Sequence, residues 1–328
     1  MPPVTPRVAV TRSLPGGALD RLRAVADVEV WPSRLPPSPQ ELRRLAAGAT
    51  GLVTMLTDRV DAELLDACPD LRIVANMAVG YDNLDVAELT RRGIPAGNTP
   101  GVLTGSTADL AWALILSATR RLPESAAAVK AGDWLTWEPD WLLGVDVAGA
   151  TLGIVGFGRI GAAVARRAAG FDMEVLAWNR TPKEVEGVTF VSLDELLRRS
   201  DVVSLHCALT DETRGMIGPA ELRAMKPTSV LVNTARGPIV DQWALARALQ
   251  TGEILAAGLD VVDHEPIPVD DELLSLPNCL VLPHVGSATV ATRSRMADMA
   301  VDNVLAVLAG AVPPTCVNPE VLAGGEST

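Results

Sequence analysis

The sequence predicts an α/β protein built from two doubly wound parallel-sheet domains. Short apolar runs alternate with amphipathic stretches over the first hundred residues, a second alternating series begins near Thr151, and a glycine-rich turn heads that second series. Strands alternating with helices argue for parallel sheets covered on both faces. At 328 residues the chain is long enough for two such domains, each with its own core.

Taken in order, residues 7–10 read as a strand and 18–26 as a helix with Leu19, Leu22 and Val25 on one face. A strand over 28–31 leads through Pro and Ser residues to a helix over 41–47. Strands follow at 51–56, 71–77 and 94–97, separated by the helical patterns AELLDAC and DVAELTRRG, the latter stopped by Gly93. The second series gives strands at 151–156, 174–178, 201–206, 229–233, 255–261 and 279–283. Its helices fall at 159–169, 193–199, 218–225, 241–250 and 290–309, and Ser192 with Glu195 forms a capping box that fixes one helix start. Between the series, 102–122 is apolar and nearly free of breakers, which predicts a helix crossing from one domain to the other. The last helix brings no new strand and is expected to pack back on the first domain. The expected division is therefore 1–100 with 288–328 as a discontinuous first domain, and 101–287 as a second.

Composition narrows the function. The formal net charge of -12 is unbroken by any Lys/Arg run, which argues against nucleic acid or an anionic membrane as partner. An anionic substrate would have to be held by individual donors. The N-terminal MPPVTPRVAV has no apolar leader, and the most apolar stretch, 108–118, contains Asp109 and is too short to span a bilayer. The cysteines at 68, 207, 279 and 316 show no CxxC spacing, as expected of buried free thiols in a reducing compartment. A cytoplasmic protein without a metal site is expected.

The segment TLGIVGFGRIGAAVARRAAG carries the coenzyme expectation. Gly156, Gly158 and Gly161 have GxGxxG spacing, follow a strand and open an Ala-rich helix, which is the context of a Rossmann dinucleotide fold. Gly156 permits a tight turn, Gly158 lets backbone N–H groups reach a pyrophosphate, and Gly161 allows close helix–sheet contact. Arg159 and Ile160 line the same turn. At the end of the next strand an NAD-preferring site places Asp or Glu, whereas this chain has Asn179 followed by Arg180 and Thr181. Asn removes a carboxylate that would repel a 2′-phosphate, and the Arg fork can pair with it. NADP(H) is favoured, with NAD(H) the alternative and an adenine-stacking Arg180 the bland reading.

All three histidines, His206, His264 and His284, lie just past carboxyl ends of strands, where ligands bind in open parallel sheets. Spacing alone does not choose among them. His284 stands in the rigid turn LPHVGSAT, His264 neighbours Glu265 and a proline, and His206 fills space or lines the coenzyme pocket. Arg236, in VNTARGPIVD, follows an apolar strand, where a guanidinium can hold a carboxylate in two parallel hydrogen bonds. A salt bridge to Asp241 or Asp260 is the alternative.

The segments NMAVGYDNLD, TLGIVGFGRIG, LVNTARGPIVD, AAGLDVVDHEP and LPHVGSAT resemble, in order and spacing, the D-isomer-specific 2-hydroxyacid dehydrogenase family over essentially the whole chain. Within it, WLTWEPDWLLGVDVAGATLGIVG is most similar to the glyoxylate and hydroxypyruvate reductases. The resemblance implies a flavodoxin-like substrate domain beside the Rossmann domain and a catalytic trio of Arg236, Glu265 and His284. It implies that the backbone around Val79 and Gly80 helps bind the substrate carboxylate; the substrate's side chain depends on the pocket near Met55, Leu56 and Val79. Thr107, Thr234, Ala235 and Asp260 match positions against the nicotinamide half of the coenzyme, and Cys207 and Gly286 are further coenzyme candidates. Trp141, or Trp137, matches a tryptophan that reaches the partner subunit's site in a homodimer. The implied chemistry is hydride transfer to C2 of a 2-oxo acid, His284 donating the proton, Glu265 orienting it and Arg236 anchoring the carboxylate. Formate dehydrogenases of the family carry Gln where this chain has Glu265.

One departure stands out: the family's HxP is here His206-Cys207-Ala208, which predicts a looser loop near the nicotinamide. The competing expectations are another 2-hydroxyacid dehydrogenase, a phosphite dehydrogenase, or a non-enzymatic dinucleotide-sensing scaffold like the corepressors of this fold. The short tail past Asn318 speaks against both a regulatory domain and partner-binding extensions. The apolar arm over 102–144 is expected to bury against a twin.

Overall fold

The computed structural model describes residues 5–325; the leading MPPV of the N-terminal reading lies outside them. The chain forms two compact units, one running up to Leu103 and resuming at Ala288, the other spanning Thr104–Ser287.

The first unit begins with β1 (Arg7–Val10), α1 (Ala18–Arg23), β2 (Asp27–Val30), α2 (Pro39–Ala46), β3 (Gly51–Thr54) and α3 (Ala62–Asp66). It continues through β4 (Ile73–Asn76), α4 (Val86–Arg91) and β5 (Ala96–Gly97). These five strands form one parallel sheet in the order β2-β1-β3-β4-β5, the flavodoxin-like winding. β3 and β4 are buried throughout, as apolar runs covered on both faces should be. Helix α2 starts two residues before the predicted 41. Ser38 accepts from the Glu41 amide, Glu41 answers through the Ser38 amide at 2.8 Å, and Pro39 takes the first helical position.

The second unit holds α5 (Thr104–Thr119), α6 (Leu122–Ala131), β6 (Thr151–Val155), α7 (Arg159–Ala168), β7 (Glu174–Trp178), β8 (Thr189–Phe190) and α8 (Leu193–Arg199). Then follow β9 (Val202–Leu205), α9 (Pro219–Ala224), β10 (Val230–Asn233), α10 (Gln242–Thr251), β11 (Ala256–Leu259), α11 (Glu272–Ser275) and β12 (Cys279–Val281). The seven strands run parallel in the order β8-β7-β6-β9-β10-β11-β12, the Rossmann winding with one strand added. The order reverses between β6 and β9, so the turns leaving those strands flank the crevice where such sheets bind ligands.

The predicted 102–122 helix needs correction. α5 ends at Thr119, Arg121 adopts a left-handed conformation, and α6 starts afresh at Leu122. Nor is α5 part of an exposed arm. It is largely apolar, and Ala108, Ala111, Trp112, Leu114 and Ile115 are buried in the second unit's own core. Gly258 in β11 makes room for it, since a Cβ there would stand 3.0 Å from that of Leu114.

The final helix, α12 (Val290–Leu308), lies on the first unit's sheet, burying Ala297, Ala300, Val301 and Val304. It approaches so closely that a Cβ on Gly51 would sit 3.1 Å from a Val304 methyl. Beyond it, Asn318 ties the tail to β5, accepting from the Ala96 amide at 2.8 Å and donating to the Ile94 carbonyl at 3.0 Å. All four cysteines are free, and no helix among the described residues is long and apolar enough to cross a membrane.

Candidate active site

The glycine turn between β6 and α7 is shaped by three separate constraints. Gly156 has φ +95°, and a Cβ on it would lie 2.4 Å from the Cys207 amide nitrogen, so the turn leaving β6 touches the turn leaving β9. A Cβ on Gly161 would meet the Gly156 carbonyl oxygen at 2.4 Å. Gly158 faces open space and caps α7 without a side chain, leaving the amides of Arg159, Ile160 and Gly161 at an unscreened helix N-terminus. Space and donors there fit a pyrophosphate.

Asn179, at the end of β7, binds the protein itself. Its Oδ1 accepts from the Phe157 amide at 3.3 Å and its Nδ2 donates to the Thr181 carbonyl at 2.9 Å, so it joins the glycine turn to the segment after β7. Lys183, a residue the sequence reading passed over, donates to the Phe157 carbonyl at 2.9 Å. Arg180 is 83 % exposed and, among the described residues, held only by a 3.5 Å contact to Glu212, so its fork can turn to another anion.

His206 is pinned rather than loose. Its amide donates to the Val155 carbonyl at 2.8 Å, while its ring nitrogens meet Ser204 Oγ at 2.8 Å and Thr234 Oγ1 at 3.3 Å. The loop predicted to be loosened by the missing proline is therefore fastened through the imidazole. Burial depresses that imidazole to about 3 and pushes the Cys207 thiol up to about 11. Neither group is charged near neutrality. His264 is a surface residue, 84 % exposed.

The trio occupies turns leaving three neighbouring strands. After β10, Asn233 closes the turn by accepting from the Ala235 amide and donating to the Arg236 carbonyl, each at 2.9 Å. The Arg236 guanidinium donates to the Ala235 carbonyl at 2.8 Å. Asp241 caps α10, and both Asp260 oxygens accept backbone amides. After β11, Glu265 Oε1 accepts from the Val262 amide at 3.3 Å, and after β12, His284 Nδ1 meets Glu265 Oε2 at 2.7 Å. An ionised carboxylate only accepts, so Nδ1 carries the hydrogen and Nε2 is left as the site of proton exchange. Both side chains are part-exposed, His284 at 25 % and Glu265 at 31 %.

Asp260, Thr107 and Gly286 cluster beside His284: a Cβ on Gly286 would lie 3.1 Å from Asp260 Oδ2 and 3.4 Å from Thr107. Asp260 and Thr107 are buried, as is Thr234, and Ala235 is part-buried. Trp137 is 80 % exposed whereas Trp141 is part-buried within its own chain.

In the first unit, one polar network holds both segments expected to meet a substrate. Asn83 Nδ2 donates to the carbonyls of Met55 (3.1 Å) and Asp58 (2.8 Å), and Asn76 Nδ2 donates to Asn83 Oδ1 and the Gly80 carbonyl, both at 3.0 Å. Asp58 Oδ2 accepts from the Met55 amide at 2.7 Å and from Thr11. The Val79 carbonyl accepts from Asn98 at 2.9 Å. With both carbonyls drawn toward asparagines, trans peptide geometry turns the amides of Gly80 and Tyr81 the other way, as donors for an anion. The sequence reading missed these asparagines and Asp58; their only signal was polar residues at the mouths of apolar strands.

Comparison with known proteins identifies relatives of the whole chain. The profile described as D-isomer specific 2-hydroxyacid dehydrogenase, NAD binding domain, matches residues 112–286. A glyoxylate reductase of Korarchaeum cryptofilum is 51 % identical over 322 residues, covering 97 % of each chain. Among solved structures, a Thermus thermophilus protein superposes with TM-score 0.91 at 49 % identity, covering 95 % of this chain and 99 % of that one. The NADPH-dependent glyoxylate/hydroxypyruvate reductase of Sinorhizobium meliloti gives TM-score 0.83 at 35 % identity, over 96 % and 99 %.

Proposed function

The chain belongs to the D-isomer-specific 2-hydroxyacid dehydrogenase family, and from that premise we propose that it reduces small 2-oxo acids, glyoxylate and hydroxypyruvate above all, with NADPH preferred to NADH. It is an oxidoreductase of the nicotinamide dinucleotides, and the matched profile falls inside the second unit. The observation that carries the reading is the 2.7 Å bond between His284 Nδ1 and Glu265. It makes the imidazole a one-ended proton carrier.

The coenzyme, when bound through the Gly158 turn, supplies a hydride for C2 of the oxo acid. His284 Nε2 gives its proton to the oxygen on which charge develops, and Glu265 keeps the ring in the tautomer and orientation for doing so. Arg236 pairs with the substrate carboxylate and so fixes which face of the carbonyl is presented. Within the first unit, the Gly80 and Tyr81 amides are neutral donors suited to a carboxylate. Met55, Leu56 and Val79 shape what side chain is accepted. Glu265 also separates this chemistry from formate oxidation, which moves no proton.

NADPH preference is supported by the absence of a carboxylate at 179, by the loosely held Arg180, and by the coenzyme of the Sinorhizobium meliloti relative. Exposed Trp134, Leu135, Trp137 and Leu143 support a homodimer formed over the segment after α6, with Trp141 or Trp137 extending to the partner. Four free thiols suit a reducing, cytoplasmic setting. The test is steady-state reduction of glyoxylate and hydroxypyruvate with NADPH and NADH side by side. Turnover with both acids and a higher kcat/KM for NADPH is expected. Coenzyme binding without turnover of either acid would refute the substrate assignment.

A further inference from the structure

His284 is one of four residues other than glycine described with positive φ, at +53°. L-residues enter this region only where the surroundings over-determine them, and strain of this kind at a working side chain points to a device that enforces it. Asp260, at the end of β11 and 2 % exposed, is that device. Its backbone carbonyl accepts from the His284 amide at 2.9 Å, Oδ1 accepts from the Val285 amide at 2.7 Å, and Oδ2 accepts from the Gly286 amide at 2.8 Å. Three consecutive amides of the turn thus converge on a single residue of the neighbouring strand. A Cβ on Gly286 would stand 3.1 Å from Asp260 Oδ2, so the turn packs closely on the carboxylate.

We propose that Asp260 is the positioning residue of the proton donor: its carboxylate fixes the 284–286 turn with His284 left-handed, so that Nδ1 meets Glu265 and Nε2 is free. This rests on His284 being the donor, and goes beyond the coenzyme contact that family resemblance implies for Asp260. An ionised carboxylate suits the role better than an amide. Both oxygens accept, whereas an asparagine would oppose one of the two N–H groups with its own NH2. Burial pushes the Asp260 carboxyl above the ordinary carboxylate range, and the amide bonds from Val285 and Gly286 oppose that rise.

The test compares Asp260→Asn with wild type in the full-length protein. Coenzyme Kd should stay within threefold, while kcat at saturating NADPH falls about 100-fold and the solvent deuterium isotope effect rises, because a misplaced donor slows proton transfer. The chain has only three histidines, so their ring-nitrogen NMR signals can be assigned by substitution, and the His284 signal should lose its single-tautomer pattern in Asp260→Asn. Should that variant fail to fold, Gly286→Ala, whose Cβ would stand 3.1 Å from Oδ2, should give the same signature in milder form. A tenfold or greater rise in coenzyme Kd, with kcat and the isotope effect unchanged, would assign Asp260 to the coenzyme and overturn the proposal. His284→Gln is the control: if it keeps wild-type turnover, the donor assignment fails rather than the clamp.

Discussion

Gly237 lies so close to Val262 that a Cβ on the glycine would stand 1.9 Å from the Val262 carbonyl oxygen. The turn that carries Arg236 is therefore seated directly on the segment that leads to Glu265. Gly237→Ala must push the two apart, since the obstacle is backbone rather than a mobile side chain. Stability should fall by about 3 kcal/mol or more, and activity should fall further than thermal unfolding alone accounts for. Denaturant melts and kcat/KM on the same preparation check this; wild-type values for both would mean the two turns are not coupled.

The asparagine network in the first unit predicts a different signature. Asn83→Ala releases the Met55 carbonyl and frees Asn76, the residue that holds the Gly80 carbonyl. KM for the oxo acid should rise about tenfold, as expected when a charge-accepting donor pair is misaligned. Coenzyme Kd, measured by NADPH fluorescence, should not move.

Coenzyme choice turns on Arg180. Arg180→Ala should raise KM for NADPH about tenfold, the loss of one charge-assisted pair, and leave KM for NADH within twofold. Equal effects on both coenzymes would place the guanidinium on the adenine instead of the 2′-phosphate.

His206 predicts an acid sensitivity. In the folded protein its imidazole titrates at about 3, against 6.5 for an ordinary histidine, because burial disfavours the charged form. As pH falls through 6.5 the unfolded chain takes up a proton that the folded chain refuses, so stability is full above that value and declines toward pH 3. The decline due to this group alone amounts to about 2 kcal/mol by pH 5. Urea melts of wild type and His206→Asn at pH 7 and pH 5 should converge in stability as pH falls. Parallel behaviour of the two would mean that His206 is already charged or already solvated.

Much of this architecture was legible in the sequence because it rests on local rules. Apolar runs over residues such as 51–54 and 202–205 are what doubly covered strands require, and the Gly156-Gly158-Gly161 spacing reports its own geometry. What escaped was set by tertiary contact. A largely apolar α5 looks the same whether it is buried by its own sheet or by a twin, and the break at Arg121 falls on a residue with no bias toward left-handed backbone. The two-residue strand β8 is too short for a period. The Ser38–Glu41 capping box was readable and overlooked. At the site, the trio's residue types were visible, but the left-handed His284 and its clamp on Asp260 were not. Such strain is imposed from a neighbouring strand and leaves no local trace.

The central claim is that His284 is the proton donor of a reductase whose coenzyme binds independently of it. The most direct test is His284→Gln, with NADPH binding and glyoxylate turnover measured on the same preparation. Wild-type coenzyme affinity is predicted, with turnover reduced by at least about 100-fold, the usual contribution of a positioned acid. Turnover within a few-fold of wild type, in protein that binds NADPH normally, would contradict it.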